Sequence, residues 1–220
     1  MPHVIAIDGP AGAGKSTIAR RLAARLGYTY VDSGAMYRAV ALWAIRQNID
    51  LDDAYRLDQL ARAADIELLP DRKVRLNGED VSAAIREAHV AVAASRVAAI
   101  RAVRSALVAK QRHMADSTSI VMEGRDIGAV VFPDARVKIF LDADPTERVR
   151  RRSGEQPEVA PDKLAAQIAE RDDRDRHRRE SPLVQAPDAV YLNTTGLTEE
   201  EVEEEILKIV RARISNGKGQ

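Results

Sequence analysis

One octapeptide constrains this chain more than any other feature. Gly9-Pro10-Ala11-Gly12-Ala13-Gly14-Lys15-Ser16 satisfies G-x-x-x-x-G-K-[ST] at every fixed position. Its setting is also the required one. His3 to Ile7 are β-branched or small and read as a short buried strand. After Ser16, the residues Ile18, Leu22 and Leu26 recur every fourth position, and Gly27 is a fitting helix stop. Glycines between a strand and a helix let successive backbone N–H groups point inward around a polyphosphate, toward which the helix also presents its positive end. The candidate nucleotide-binding residues are therefore Gly9, Pro10, Ala11, Gly12, Ala13, Gly14, Lys15, Ser16 and Thr17. Lys15 is expected to reach the β/γ-phosphates of a nucleoside triphosphate and the Ser16 hydroxyl to ligate Mg²⁺. The plainer alternative is a glycine-rich turn carrying an exposed lysine. A guanine-reading N-K-x-D segment is missing: Asn48, Asn77, Asn193 and Asn216 do not stand in that setting.

The rest of the chain repeats the strand–helix alternation. Tyr28–Val31, Ser119–Met122, Val137–Leu141 and Val190–Leu192 read as further buried strands. Helical patterns follow them from Ser33, from Pro145, over 163–179 and over Leu197–Ile214, and one long helical stretch is expected from Val90 to Met114. Residues 66–81 differ: short alternating runs separated by Pro70-Asp71 and Asn77-Gly78 predict a small antiparallel sheet. The expected fold is α/β, with five parallel strands, helices on both faces, and an antiparallel insertion. The length of 220 residues suits one domain. Ligands of such sheets sit at the carboxyl ends of the strands. The turns Gly9–Thr17, Asp32–Gly34 and Gly124–Asp126 all follow strands and are expected in one crevice. The tail after Ser215 is expected to fray.

Composition narrows the partners. Lys+Arg number 34 and Asp+Glu 34, so net charge is 34 − 34 = 0, which argues against a general binder of nucleic acid or membrane surfaces. The arginine run 148–152 has no interleaved aromatics, as a nucleic-acid patch would. There is no cysteine, which excludes disulfides and thiolate chemistry and suits a reducing compartment. His3, His89, His113 and His177 lack metal-ligand spacing. The apolar stretch Ala39–Ile45 is too short to span a bilayer. The first residues have no basic start and meet Asp8 early, so no secretory signal is expected and the expected compartment is the cytoplasm.

Arginines supply the second theme. Asp32-Ser33-Gly34-Ala35-Met36-Tyr37-Arg38 puts a serine at a helix start and an arginine about one turn later. Gly124-Arg125-Asp126 adds an arginine and a carboxylate at a strand end. Within 171–179, Arg171, Asp175 and Arg178 are spaced by four and three and share a helical face. Together these predict an arginine-lined pocket for a second anion, as phosphoryl transfer between two charged substrates requires. Read alone, the 171–179 run is a solvated helix laced with ion pairs, and Arg38 a solvated helix residue.

These segments, with Gly78–Ser82, Val131–Ala135 and Lys138–Ala143, resemble the bacterial cytidylate kinase family of P-loop nucleoside monophosphate kinases, in order and over nearly the whole chain. Gly-Arg-Asp-x-Gly and Arg-Asp-x-x-Asp-Arg carry most of the specificity. The resemblance implies transfer of the ATP γ-phosphoryl group to CMP or dCMP with Mg²⁺. It implies a monophosphate-binding insertion at 46–95, a lid at 148–171, and a monomer. By position, Ser95, Arg104 and Asp126 resemble cytosine-reading residues, Arg171 and Asp175 sugar contacts, and Ser33, Arg38, Arg125 and Arg178 groups around the acceptor phosphate. Lys15, Arg38, Arg125, Asp126 and Arg178 are the implied catalytic set, with Arg148 and Arg152 as lid candidates for the γ-phosphate. A carboxylate at Asp126 suits cytosine, whose exocyclic amine is a donor where uracil has an acceptor. Another small-acceptor kinase of this fold, for UMP, AMP or shikimate, is the nearest alternative; a regulatory P-loop nucleotide switch is the alternative of another class.

Overall fold

Strand β1 (Val4–Asp8) lies at the centre of a five-stranded sheet because its residues are apolar on both faces: Ile5, Ala6 and Ile7 are fully buried. The computed structural model describes residues 2–215; the expected fraying of the tail concerns residues outside these. The sheet order is β2 (Thr29–Asp32), β6 (Ile120–Gly124), β1, β7 (Val137–Asp142), β8 (Val190–Asn193). β1 pairs in parallel with β6 and β7, and β7 with β8. The register sets Asp8 beside Gly124, so the two turns after β1 and β6 leave the sheet side by side. The expected parallel α/β fold is present. The edge strands β2 and β8 are only partly buried, since each has one neighbour and one uncovered side.

The chain forms two compact units, one running up to Val31 and again from Met114, the other Asp32–His113. In the first, α1 (Lys15–Leu26) begins after Gly14 at φ 86° and ends on left-handed Gly27. It packs Ile18 and Leu22 into a core with Ile139, Leu141, and Val202 and Ile206 of α8 (Glu199–Ser215). Three glutamates in the first turn of α8 complement its dipole. Helices α6 (Pro145–Glu155) and α7 (Pro161–His177) each open on a proline, which lacks the N–H that a first turn leaves unbonded.

In the second unit, α2 (Ser33–Arg46) is capped by Asp32, whose side chain accepts from Ala35 N at 2.9 Å. The antiparallel sheet is present as β3 (Ile66–Leu68), β4 (Val74–Leu76) and β5 (Glu79–Asp80), turned at Asn77 and Gly78, both at positive φ. Two features depart from the sequence reading. Asp53 caps a helix, α3 (Ala54–Ala63), which buries only Leu57 and Ala61 and so left little apolar periodicity to read. The expected stretch Val90–Met114 is two helices, α4 (Ala88–Val97) and α5 (Arg101–His113). The break carries neither Gly nor Pro; α4 packs on α2 and α5 on α3, so tertiary partners impose it.

Candidate active site

In the first unit, the loop after β1 wraps back on itself. Lys15, in the first turn of α1, donates its ammonium to Pro10 O at 2.6 Å and is almost wholly buried. Burial pushes its pKa down to about 7, and Arg125 and Arg171 push the same way against Glu123 and Asp175. The lysine is therefore held in a field that is already cationic, the environment an anion relieves. Gly9 permits the loop to leave the strand: its φ is 147°, and a Cβ there would stand 1.9 Å from Leu141 O.

Arg125 and Asp126 follow β6. Arg125 Nε donates to Asp175 Oδ2 at 2.9 Å, and Arg178 lies 3.8 Å from Asp175 and 3.6 Å from Asp126. Burial would raise the pKa of Asp175, but Arg125, Arg171 and Arg178 outweigh it and hold the group ionised below the ordinary carboxylate range. Thus Lys15, Arg125, Asp126, Arg171, Asp175 and Arg178 gather in one charged cluster. The expectation that Arg178 shares the helical face of Arg171 and Asp175 is corrected: α7 ends at His177, and Arg178 joins from the extended residue beyond it. Asp172 and Asp175 are buried, so 171–179 is not a solvated ion-pair helix throughout.

Two groups in this unit escaped the sequence reading. Asp8 accepts from Ile127 N and Gly128 N, each at 2.8 Å, and so anchors the turn that carries Asp126. Its pKa is raised to about 6, chiefly by burial. A lone aspartate at a strand end carries no pattern by which to find it. Arg151 donates to Thr194 Oγ1 at 2.9 Å and to Ala13 O at 3.4 Å, joining α6 to the cradle. Arg148, a lid candidate for the γ-phosphate, has a buried guanidinium engaged by Asp172, Ala11 O and Ala143 O. Arg152 pairs with Glu155 at 2.5 Å on the surface. Ser16 is exposed in the first turn of α1 and Thr17 half-buried beside it.

In the second unit, Asp32 accepts from Arg38 Nη2 at 2.8 Å. Burial would raise the Asp32 pKa; Arg38 and the Ala35 N–H outweigh it, and the carboxyl sits below its ordinary value. A Cβ at Gly34 would come 3.0 Å from Arg38 Nη1 and 3.1 Å from Asp32 Oδ1, so these side-chain ends would have to give by a few tenths of an ångström. Ser33 is buried at the start of α2. Arg86 has its pKa lowered by burial and by its like-charged neighbours Arg72 and Arg38. These second and third guanidiniums, on short irregular turns, were not singled out in the sequence. Arg104 is buried on α5 and lies over the ring of Tyr37, 5.4 Å from its centroid. Ser95 is half-buried on α4.

A glycine-rich loop between strand and helix, a buried lysine and convergent arginines define a P-loop phosphotransferase. Comparison makes this specific. Residues 5–212 match the family model described as cytidylate kinase, and the chain belongs to that family. It is 60 % identical to the cytidylate kinase of Solibacter usitatus, covering 98 % of this chain and 95 % of that one. It is 48 % identical to the cytidylate kinase of Caldanaerobacter subterraneus, over 98 % and 96 %. Among solved structures, a gluconokinase from Sinorhizobium meliloti superposes with a TM-score of 0.54 at 13 % identity, over 100 % of this chain and 98 % of that one, a likeness of fold alone. No helix among the described residues is long and apolar enough to cross a membrane.

Proposed function

We propose that this chain transfers the γ-phosphoryl group of ATP to CMP, giving ADP and CDP, and that it accepts dCMP as well. The observation that carries the reading is the Lys15 ammonium, buried among Arg125 and Arg171 at the carboxyl ends of β1 and β6 in a chain of this family. The transferring group passes through a loose transition state whose charge lies on its oxygens, so catalysis is positioning and neutralisation. Lys15 neutralises the β/γ region, and the loop Gly9 to Thr17 cradles the chain of phosphates. Arg125 and Arg178 hold the acceptor phosphate; in the second unit, the resemblance gives Ser33 and Arg38 a phosphate-binding role. That phosphate is already anionic at neutral pH, so no strong general base is needed.

Asp126 reads the base: an acceptor there meets the N4 donor of cytosine and leaves uracil two facing acceptors, one of them desolvated. In the second unit, the resemblance gives Ser95 and Arg104 base-reading roles. Arg171 and Asp175 take the sugar. Residues 46–95 are proposed as the monophosphate-binding insertion of a single kinase domain and 148–171 as its lid, with Arg152 reaching ATP. The lid excludes water, which would otherwise divert ATP to hydrolysis. The enzyme is proposed to work as a cytoplasmic monomer.

Mg²⁺ fits the cradle. The Ser16 hydroxyl is a hard oxygen donor exposed at the start of α1 and would hold the ion beside the cradle. When bound, the ion would neutralise charge on the β- and γ-phosphates.

The test is a coupled ADP-release assay with ATP against CMP, dCMP, UMP, AMP and GMP. CMP and dCMP are expected to turn over fastest. Preference for UMP would reject the role of Asp126, and slow phosphate release from ATP with no phosphorylated nucleoside would reject the kinase reading.

A further inference from the structure

One residue of the phosphate cradle, Ala11, is gripped at both of its backbone polar groups. Asp172 Oδ1 accepts from Ala11 N at 3.1 Å, and Arg148 Nη1 donates to Ala11 O at 3.0 Å. The two side chains are themselves ion-paired through Arg148 Nη1 and Asp172 Oδ2, and Arg148 Nε donates to Ala143 O at 3.1 Å, at the root of α6. Both side chains are buried, with exposures of 7 % and 4 %, so the pair has given up nearly all its water. Apolar side chains of similar volume often stabilise a fold as well as a buried ion pair does, so stability alone does not account for this one. Here the oriented object is Ala11, whose N–H and C=O belong to the peptides on either side of it. Gly12 in turn stands at φ 77° with the Arg148 backbone so near that a Cβ would lie 3.0 Å from Arg148 O. A side chain at Gly12 would be strained by that φ and would need the Arg148 backbone to give by a few tenths of an ångström.

We propose that Asp172 and Arg148 are positioning residues for ATP: together they fix the two peptide planes that meet at Ala11, and so the curvature of the cradle, before the nucleotide arrives. Asp172 stands on α7 and Arg148 on α6, so the two helices of the proposed lid are tied at their root to the loop that holds the phosphates. This rests on the ATP-binding reading of the cradle but not on the identity of the acceptor.

The experiment is calorimetric titration of the full-length protein with MgATP alone, no acceptor present, together with thermal melting. Wild-type binding tests the cradle itself: if wild type does not bind, the functional reading fails rather than this inference. Asp172→Asn keeps an acceptor for Ala11 N but strips Arg148 of its counter-charge; it is expected to weaken MgATP binding about tenfold, the worth of one charged hydrogen bond. The double variant Asp172→Leu/Arg148→Met replaces the pair by apolar volume. It is expected to melt at or above the Asp172→Asn temperature yet still bind MgATP about tenfold more weakly than wild type. In steady state both variants should raise KM for ATP while KM for CMP stays within about twofold. Wild-type MgATP affinity in the double variant, or equal rises in both KM values, would overturn the proposal. If Asp172→Asn does not fold, the double variant decides alone. If neither folds, the pair is a folding element and the proposal is wrong.

Discussion

The two units both collect positive charge, but with different chemistry. The first buries a lysine whose pKa has fallen to about 7. The second relies on Arg38, Arg72, Arg86 and Arg104, on helices and turns, and guanidiniums keep their proton throughout the working pH range. The proposed ATP side therefore holds a cation whose charge the surroundings can remove and an anion restores. The second unit holds charges that only geometry can modulate. Loss of function with rising pH should thus originate in the first unit.

Lys15→Ala should give the largest effect. Removing the cation at the transferring phosphoryl group is expected to lower kcat about 10³-fold, measured by ADP release with CMP. Near-normal turnover would erase the contrast between the units. Asp126→Ala comes next, with kcat/KM for CMP reduced about 100-fold and MgATP affinity in titration unchanged. An equal loss for both substrates would mean that the turn held by Asp8 had collapsed.

The lysine's titration is smaller but more diagnostic. A bound triphosphate favours its charged form, so above about pH 7 ATP binding should take up a proton, and affinity should fall by up to about tenfold per pH unit. Calorimetry in buffers of different ionisation enthalpy measures the uptake. The same shift has a consequence for stability. The unfolded chain binds this proton more tightly than the folded one, so Lys15 makes stability rise with pH from about 7 towards the ordinary lysine range, a slope that Lys15→Ala should lack. The smallest effect is expected at an exposed pair of the second unit, Arg46–Glu79 at 2.8 Å. Arg46→Ala should cost less than about 1 kcal/mol in denaturant unfolding and leave turnover intact.

How much of this was legible depended on the range of the interactions. The cradle declares itself because its residues are consecutive: a glycine fingerprint, a lysine and a serine within eight positions. The Asn77-Gly78 turn and the Asp32 cap are local in the same way. Helix α3 was not legible, since two buried residues one turn apart make no pattern. Nor was the break between α4 and α5, which no residue in between requires. Arg148 shows the limit most plainly. On the sequence it is one arginine in a surface-looking run; in the fold, Asp172, 24 residues away, draws it inward against Ala11, another 137 residues distant.

Local spacing alone determined that this protein is a parallel α/β chain with a phosphate cradle, because periodicity, caps and glycine conformations act over a few residues. Only the tertiary structure decided which charges are buried, which carboxylate answers which guanidinium, and that Lys15 loses its proton near neutrality. Those outcomes depend on desolvation and on charges brought together from distant strand ends, and neither is a property of neighbouring residues.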